Sequence, residues 1–586
     1  MGVRSYEEPP ELFETPRRPP LRPLLGAAAG VFALALAVLL SNGRPIGAGD
    51  TRANERVAAS LVQEGNLDLD EAPEVEPPFA VQQGAHRVSI YPTLSSVLAA
   101  PVFAAARAAF ALDETGSALA GKLAAALFSS LAAALLFLAV CARGYRIEAF
   151  AVAVLFTLGT SVWSSSQALW QHPAAVLFLC ATLLCLALAE HDDAWAARAG
   201  LPLALAVAAR HADAALAAVL VVGIAVRWPR RLPWLVLWAL PAAAFVCAYN
   251  WAYFGGPLQH GFSGSLSRFS APPGVGHLGL LLSPAKGLLV FTPLAVVAVA
   301  GMGVALRRGE RWWVATLGGA ALAHWLLMGQ WGEWHGGESW GPRLLTDALP
   351  LLFFFLPEGR ERLPRLALAL AVWSIGAQAL GAFAYDYGWE RSHQREGAAP
   401  PLWDPADNPI LFHLERRVVI VAAPTVKDGK AFVREHPLVL FGPTGSRLSF
   451  ARDRLEGTGS VPTFGDVHLQ RGARLEGGRL HLQGRWAGVF LRVRDDARPR
   501  RLQLRIAARG SGVLYVGERS FWVPGTRWTT YTLSGRTLIR HPYFFPESGG
   551  GDLLVTTGLG GGQADIDWIT LVPPGEPTDA VRTPEG

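Results

Sequence analysis

Between residues 24 and 385 the chain is a succession of apolar runs, and no other feature limits its fold as strongly. A helix that crosses a bilayer needs about 20 mostly apolar residues. Runs near that length fall at 24–41, 118–141, 147–165, 172–190, 196–209, 212–227, 233–253, 286–306, 312–329, 344–357 and 364–384. The fifth, sixth and tenth are short, which is tolerated where a segment is buried in protein. The expected class is a polytopic α-helical membrane protein with 11 crossings.

Composition locates a second region. Of 586 residues only 17% are charged, and mean hydropathy is +0.27. Soluble domains carry about a quarter charged residues. The deficit stops near residue 385. Beyond it, "RLHLQG", "WAGVFLRVR", "RLQLRIAARG", "WTTYTL" and "DIDWITLV" alternate apolar and polar residues between Gly, Pro and Asp clusters. That pattern predicts an antiparallel β-sandwich over 436–575. Residues 1–23 read as a disordered cytoplasmic tail, 386–435 as a proline-rich linker and 576–586 as a disordered tail.

The arginines orient the chain. Arg17, Arg18 and Arg22 precede the first run, and Arg143 and Arg146 follow the second. Arg227, Arg230 and Arg231 follow the sixth, Arg307, Arg308 and Arg311 the eighth, and Arg360, Arg362 and Arg365 the tenth. With 11 crossings every group falls on the side of the N-terminus, which the positive-inside rule makes cytoplasmic. The segment 91–112 is apolar enough to cross, but counting it would invert the later groups. It reads as amphipathic helix at the outer interface, as Arg107, Pro92 and Pro101 suit. The outer side then receives the loop 42–117, the loops near 165–172, 254–285 and 330–343, the turn at 210–211 and all of 386–586. The first run lacks a small-residue cleavage site and reads as an uncleaved helix of the cytoplasmic (inner) membrane. The four cysteines lie in apolar segments and do not form a disulfide framework. The net charge of +5 is small and clustered by topology, so nucleic acid is not an expected partner. Neither a P-loop nor a G-x-G-x-x-G stretch points to a nucleotide.

The outer loops hold the chemistry. "NGRPIGAGDT" presents Asp50 in what reads as a flexible glycine-rich loop, with Glu55 following. Asp68, Asp70 and Glu71 read as solvated. Tyr91 opens the interfacial segment, and "SSSQALWQHPAA" supplies Gln167, Trp170 and His172. Arg210 stands in "AARHADA", Lys286 in "LLLSPAKGLLVFTP", and "GQWGEWHGGESWGPRLL" carries Glu333, His335, Glu338, Trp340 and Arg343. A carboxylate can act as general base. Cations near a bilayer surface suit a lipid-linked phosphate, though snorkelling arginines and lysines look the same in sequence. The tryptophans fit an interfacial belt or a sugar-stacking platform equally well. His335 and Glu338 have metal-compatible spacing, but two ligands do not define a site.

These loops, in this order, resemble the GT-C glycosyltransferases, in particular the bacterial protein-mannosyltransferase and aminoarabinose-transferase-like branch. The resemblance covers about residues 24–385. It rests on "GAGDT" after the first helix, on "SIYPTLSSVLAAPVFAAARAAF", on "LALAVAARHADAALAAVL", and on the two late loops with Lys286 and Arg343. It implies transfer of a sugar from a polyprenyl-phosphate donor to a glycan, lipid or protein acceptor at the outer membrane face. It implies Asp50 as catalytic base and Arg210, Lys286 and Arg343 as donor-phosphate residues. Glu55, Tyr91, Trp170, His172, His335, Glu338 and Trp340 would stand on the substrate side. Two departures stand out. Thr51 follows Asp50 where many members carry a second acid, and the second outer loop offers Gln167 and His172 in place of an acid. A divalent metal is therefore compatible with the pattern but not assigned by it. A transporter or flippase for lipid-linked sugars is an alternative, though transporters place polar residues at the midplane and show internal repeats. A non-catalytic membrane anchor for the β-domain is another.

Overall fold

The computed structural model describes residues 22–263, 265–395 and 399–415, and beyond them strands and adjoining residues between 438 and 572. Most of both expected tails, Arg17 and Arg18, and residues 416–435 of the expected linker lie outside the described residues. The chain divides into two units, Met1–Ile410 and Leu411–Gly586.

The first unit is helical. In chain order its principal helices are α1 (Leu25–Leu40), α2 (Gly49–Gln63), α3 (Leu94–Arg107), α4 (Glu114–Ala142), α5 (Ala149–Leu158), α6 (Gln171–Ala189), α7 (Gly200–Ala209), α8 (Ala214–Arg227), α9 (Leu232–Phe254), α10 (Ala295–Arg307), α11 (Gly319–Met328), α12 (Pro364–Ala384) and α13 (Gly388–Arg395). Among the described residues four helices are long and apolar enough to cross a membrane: α4, α6, α9 with its lead-in from Pro229, and α12.

Several of the other expected crossings are helical but interrupted. The run 147–165 breaks after α5 at Gly159, where the Thr160 hydroxyl accepts the Val162 amide at 3.2 Å and opens a second short helix. The run 286–306 is split at Pro293 between Leu288–Phe291 and α10. The run 344–357 begins as a 3-10 helix, Arg343–Ala348, and continues in two short helices that start near Pro350 and Pro357. Proline lacks the N–H that continues a helix, and such breaks are tolerated where protein surrounds them. Hydropathy registers the apolar runs but not these breaks.

Small residues allow close packing. A Cβ on Gly301 of α10 would sit 1.9 Å from the Phe355 carbonyl, and one on Gly359 would sit 1.9 Å from the Val297 carbonyl. The two glycines answer each other across one seam, the usual device where helices meet in lipid. Outward faces are apolar instead: α9 exposes Trp234, Val236, Leu237, Trp238 and Leu240, and α12 exposes Leu368, Val372 and Trp373. Contiguous apolar faces of this extent need an apolar solvent, so this unit is that of a membrane protein.

The arginine groups meet at one end of the bundle. Arg143 pairs with Glu358 at 2.5 Å and with Glu310. Arg308 pairs with Glu361 at 2.8 Å, and Arg227 and Arg231 pair with Glu190 and Asp193. Trp228 and Trp312, with ring centroids 5.0 Å apart, join the two sets. The other end carries the loops before α2, before α6 and after α11. Between α2 and α4, the segment expected at the interface is α3, whose Ala99, Phe103 and Ala106 pack on Ala58 and Ala59 of α2 and on Ala120 and Ala124 of α4. A short hairpin, β1 (Ala80–Gln83) and β2 (His86–Ser89), stands between α2 and α3.

Within the segment expected as linker, Gly388–Arg395 form α13, with Trp389 fully buried and its indole N–H donating to Asp407 at 2.9 Å. The polar composition that suggests a linker hides one large apolar anchor.

In the second unit the described strands pair antiparallel throughout and form one branched network rather than two separate sheets. The long strand Gln503–Val516 pairs with Arg519–Ser534 on one edge. Its other edge pairs first with Gly562–Val572 and then with Gly551–Thr556. The register of its pairing shifts between Ala508 and Gly510. A long strand that bends at a bulge can change neighbours along its length, and the network branches there.

Candidate functional site

Asp50 does not lie in a flexible loop. It is buried in the first turn of α2, where a carboxylate interacts favourably with the helix dipole. The segment before it is held at almost every residue. Asn42 Nδ2 donates to Gln167 Oε1 at 2.8 Å and to the Ala382 carbonyl at 2.7 Å. The Lys122 ammonium donates to Asn42 Oδ1 and to the Arg44 carbonyl. Arg44 donates to the Tyr385 carbonyl at 2.8 Å, Ile46 N to the Gln167 carbonyl at 2.9 Å, and the Tyr387 hydroxyl to the Gly47 carbonyl. The glycines serve proximity. A Cβ on Gly49 would lie 2.2 Å from the Phe79 ring, and one on Gly47 2.3 Å from Thr51 Oγ1.

Arg343 meets Asp50. Its Nη1 donates to Asp50 Oδ2 at 2.5 Å and its Nη2 to the Gly336 carbonyl at 2.8 Å. The guanidinium carbon lies 4.2 Å from the centroid of the Trp170 ring, a cation–π stack. Its Nε is buried without a hydrogen-bond partner among the described residues. Beside it opens a narrow cleft, walled by Trp170, Glu338, Trp340, Arg343, Tyr385 and Tyr387. The Trp340 indole N–H is engaged by the Ala377 carbonyl at 3.0 Å, and the ring packs against Phe291 and Tyr385.

Lys286 reaches the same loop from behind. Its buried ammonium donates to the carbonyls of Gly337 and Ser339 at 3.0 and 2.5 Å and to Glu390 at 3.1 Å. An ammonium has three hydrogens, and all are occupied. Lys286 thus braces the 336–343 loop against α13. Arg210 is farther along. It pairs with Asp347 at 2.5 Å and Asp213 at 3.3 Å, and His172 Nδ1 lies 3.0 Å from Asp347. His324 Nε2 donates to the Leu344 carbonyl at 2.9 Å. This buried network clamps the 3-10 helix that begins at Arg343. The four residues expected to converge are therefore two in direct contact, Asp50 and Arg343, and two in supporting positions.

The substrate-side candidates divide similarly. Trp170, Glu338 and Trp340 line the cleft, whereas His172 belongs to the clamp. Glu55 is buried one turn beyond Asp50 and accepts the Leu169 amide at 3.2 Å. Burial pushes its carboxyl up to about 8. Half-buried Tyr91 stacks edge-on against Phe262 at 5.7 Å, and burial together with the charge of Asp50 holds its hydroxyl well above the usual phenol range. His335 Nδ1 accepts the Gly337 amide at 3.1 Å. Burial and the cations Lys286 and Arg343 hold its imidazole down at about 4, so it is neutral near pH 7. Among the described residues, sets of three metal-ligating groups gather at Asp68–Asp70–His86 and at Asp213–His324–Asp347, not around Asp50.

No protein-family model matches the chain, and no curated protein matches it. It is similar to solved structures. One is ArnT from Cupriavidus metallidurans bound to undecaprenyl phosphate, with 14% identity and TM-score 0.40 over 67% of this chain and 68% of that one. Another is the archaeal oligosaccharyltransferase AglB from Archaeoglobus fulgidus in complex with an inhibitory peptide and a dolichol-phosphate. There the identity is 14% and the TM-score 0.37, over 64% of this chain and 58% of that one. Likeness of this degree decides nothing about the chemistry, which rests on the geometry above.

Sequence reading passed over Asp347, His324, Glu390 and Lys122. The first two stand in apolar runs, "RLLTDALP" and "ALAHWLLM", where an ionisable residue is a signal in itself. Glu390 was hidden in the stretch read as linker.

Proposed function

We propose that the protein transfers a sugar from a polyprenyl-phosphate donor to a glycan, lipid or protein acceptor at the outer face of the cytoplasmic membrane. The observation that carries this is the Asp50–Arg343 ion pair, stacked on Trp170 beside the cleft. Arg343 holds a base and offers a phosphate-binding guanidinium in the same contact. A donor phosphate competes for Arg343, engaging N–H groups that include the unpartnered Nε, and that exchange releases Asp50. An acceptor hydroxyl then attacks the anomeric carbon and gives its proton to Asp50. The bond from that carbon to the phosphate oxygen breaks, and the phosphate leaves with the electron pair, stabilised by Arg343. Lys286 and the Arg210–Asp347–His172 clamp position Arg343, and Trp170 and Trp340 wall the cleft beside it. Arg343, already in contact with Asp50, takes the charge of the leaving phosphate.

The test is release of polyprenyl phosphate from a panel of polyprenyl-phosphate sugars by the purified protein in lipid. Asp50→Asn is expected to fold and to lose transfer by about 10²-fold or more, the usual weight of a positioned base. Transfer by Asp50→Asn near the wild-type rate would sink the assignment.

A further inference from the structure

One residue of the cleft wall stands in a backbone conformation that its side chain disfavours. Tyr387 has φ 64°, in the left-handed region, and no other non-glycine among the described residues has a positive φ. A bulky residue there is an outlier, and such strain persists where the surroundings over-determine it. The reaction proposed above gives Tyr387 no part.

The surroundings fix Tyr387 from both sides. Before it, buried Tyr385 donates its hydroxyl to Glu390 at 2.9 Å and accepts Arg44 at its carbonyl at 2.8 Å. After it, the Gly388 amide donates to Asp386 Oδ1 at 2.9 Å and Trp389 is buried in α13. The Tyr387 ring stands edge-on to Tyr385, with centroids 4.9 Å apart. The short turn between α12 and α13, anchored at both ends, delivers the Tyr387 hydroxyl to the Gly47 carbonyl, to which it donates.

Gly47 leads directly into Asp50. A Cβ on Gly47 would lie 2.3 Å from Thr51 Oγ1, which itself donates to the Ala48 carbonyl at 2.9 Å. The chain before α2 is thus folded against the first turn of that helix, and a grip on the Gly47 carbonyl is a grip on the turn. Asp50 is held at two points: Arg343 holds its carboxylate at 2.5 Å, and Tyr387 holds its backbone segment. Both residues wall the same cleft. In the proposed reaction the donor phosphate draws Arg343 away from Asp50. One hold is then lost when the base must stand against the acceptor hydroxyl, and positioning of that kind tolerates little slack.

We propose that Tyr387 is a positioning residue for Asp50. Its hydrogen bond to Gly47 keeps the start of α2 in place while Arg343 is engaged by the donor phosphate, and the strained turn is what brings the hydroxyl there. The part played in transfer rests on the proposed function, whereas the second hold on Asp50 does not.

The experiment compares wild type, Tyr387→Phe, Arg343→Gln and the double variant, each as the full chain purified in lipid. Phenylalanine keeps the ring and the turn and removes the bond alone. Hydrogen exchange of the segment 44–52 is followed without any donor. Each single variant is expected to keep most of the protection, and the double variant to exchange about fivefold or more faster than Arg343→Gln, the weight of one hydrogen bond. Should Arg343→Gln fail to fold, Arg343→Lys takes its place. With a donor that wild type turns over, Tyr387→Phe is expected to lower kcat about fivefold and to leave KM for the donor within about twofold. In an Asp50→Asn background the same change is expected to shrink below about twofold, because it acts through Asp50. Exchange in the double variant equal to that of Arg343→Gln overturns the proposal. So does a raised KM at unchanged kcat, or an equal effect with and without Asp50. A wild type that turns over no donor overturns the transferase reading, and the exchange comparison still decides the second hold.

Discussion

At the scale of single residues the site turns on one guanidinium doing three things: holding Asp50, stacking on Trp170 and tying back to Gly336. Lysine keeps the charge but has neither the planar fork nor the stacking face. Arg343→Lys is therefore expected to lower kcat/KM for the donor at least about tenfold, or about 1.4 kcal/mol. Steady-state kinetics check this, and wild-type values would mean that charge alone matters. Glu55 gives a pH prediction. Burial raises its carboxyl from 4.5 to about 8, so the folded chain keeps a proton that the unfolded chain releases. Its contribution favours folding below about 4.5, declines as pH rises through that window and levels off above about 8. Glu55→Gln is expected to flatten this decline. Thermal unfolding of both proteins from acid to alkaline pH tests it, and superimposable profiles would refute the burial argument.

At the scale of elements, two short pieces set the site. The start of α2 is seated by Gly49 against Phe79. Gly49→Ala is expected to cost about 1–3 kcal/mol as an overpacked contact and to displace Asp50. Phe79→Ala in the same chain should restore much of both stability and transfer. A double mutant no better than Gly49→Ala alone would move the cause elsewhere. The 3-10 helix Arg343–Ala348 is clamped through Asp347. Asp347→Asn leaves Arg210 buried with a weakened partner set, and breaking such a pair costs about 3–5 kcal/mol. Chemical denaturation of the purified variant reads this directly.

At the scale of the molecule, Arg143, Arg227, Arg231 and Arg308 gather at one end of the bundle and Asp50 lies at the other, and the positive-inside rule predicts that the arginine end is cytoplasmic. In a cysteine-free background, Ile147→Cys is expected to react with an impermeant thiol reagent after permeabilisation alone. Gln83→Cys, on the β1–β2 hairpin, is expected to react from outside in intact cells. The reverse pattern would invert the topology and remove the outer-face reaction.

The sequence by itself determined the helical membrane class, the place of the β-region and the loops from which the site is drawn, because hydropathy and alternation are local properties of the chain. It also placed Asp50, Trp170 and Arg343 among its candidates. It misjudged the segment before Asp50, since glycine reads as freedom until the neighbour it accommodates is known. Asn42, Arg44, Ile46 and Gly47 are held by Gln167, Ala382, Tyr385 and Tyr387, more than a hundred residues away in the chain. It gave Lys286, Arg210 and Arg343 equal standing, because three cations beside outer loops look alike in one dimension. Only the tertiary structure decided among them, by giving Lys286 three acceptors and Arg210 two carboxylates, and by leaving Arg343 between a carboxylate and a cleft. A charge becomes available to a ligand through what its neighbours leave unmet, and those neighbours come from distant parts of the chain.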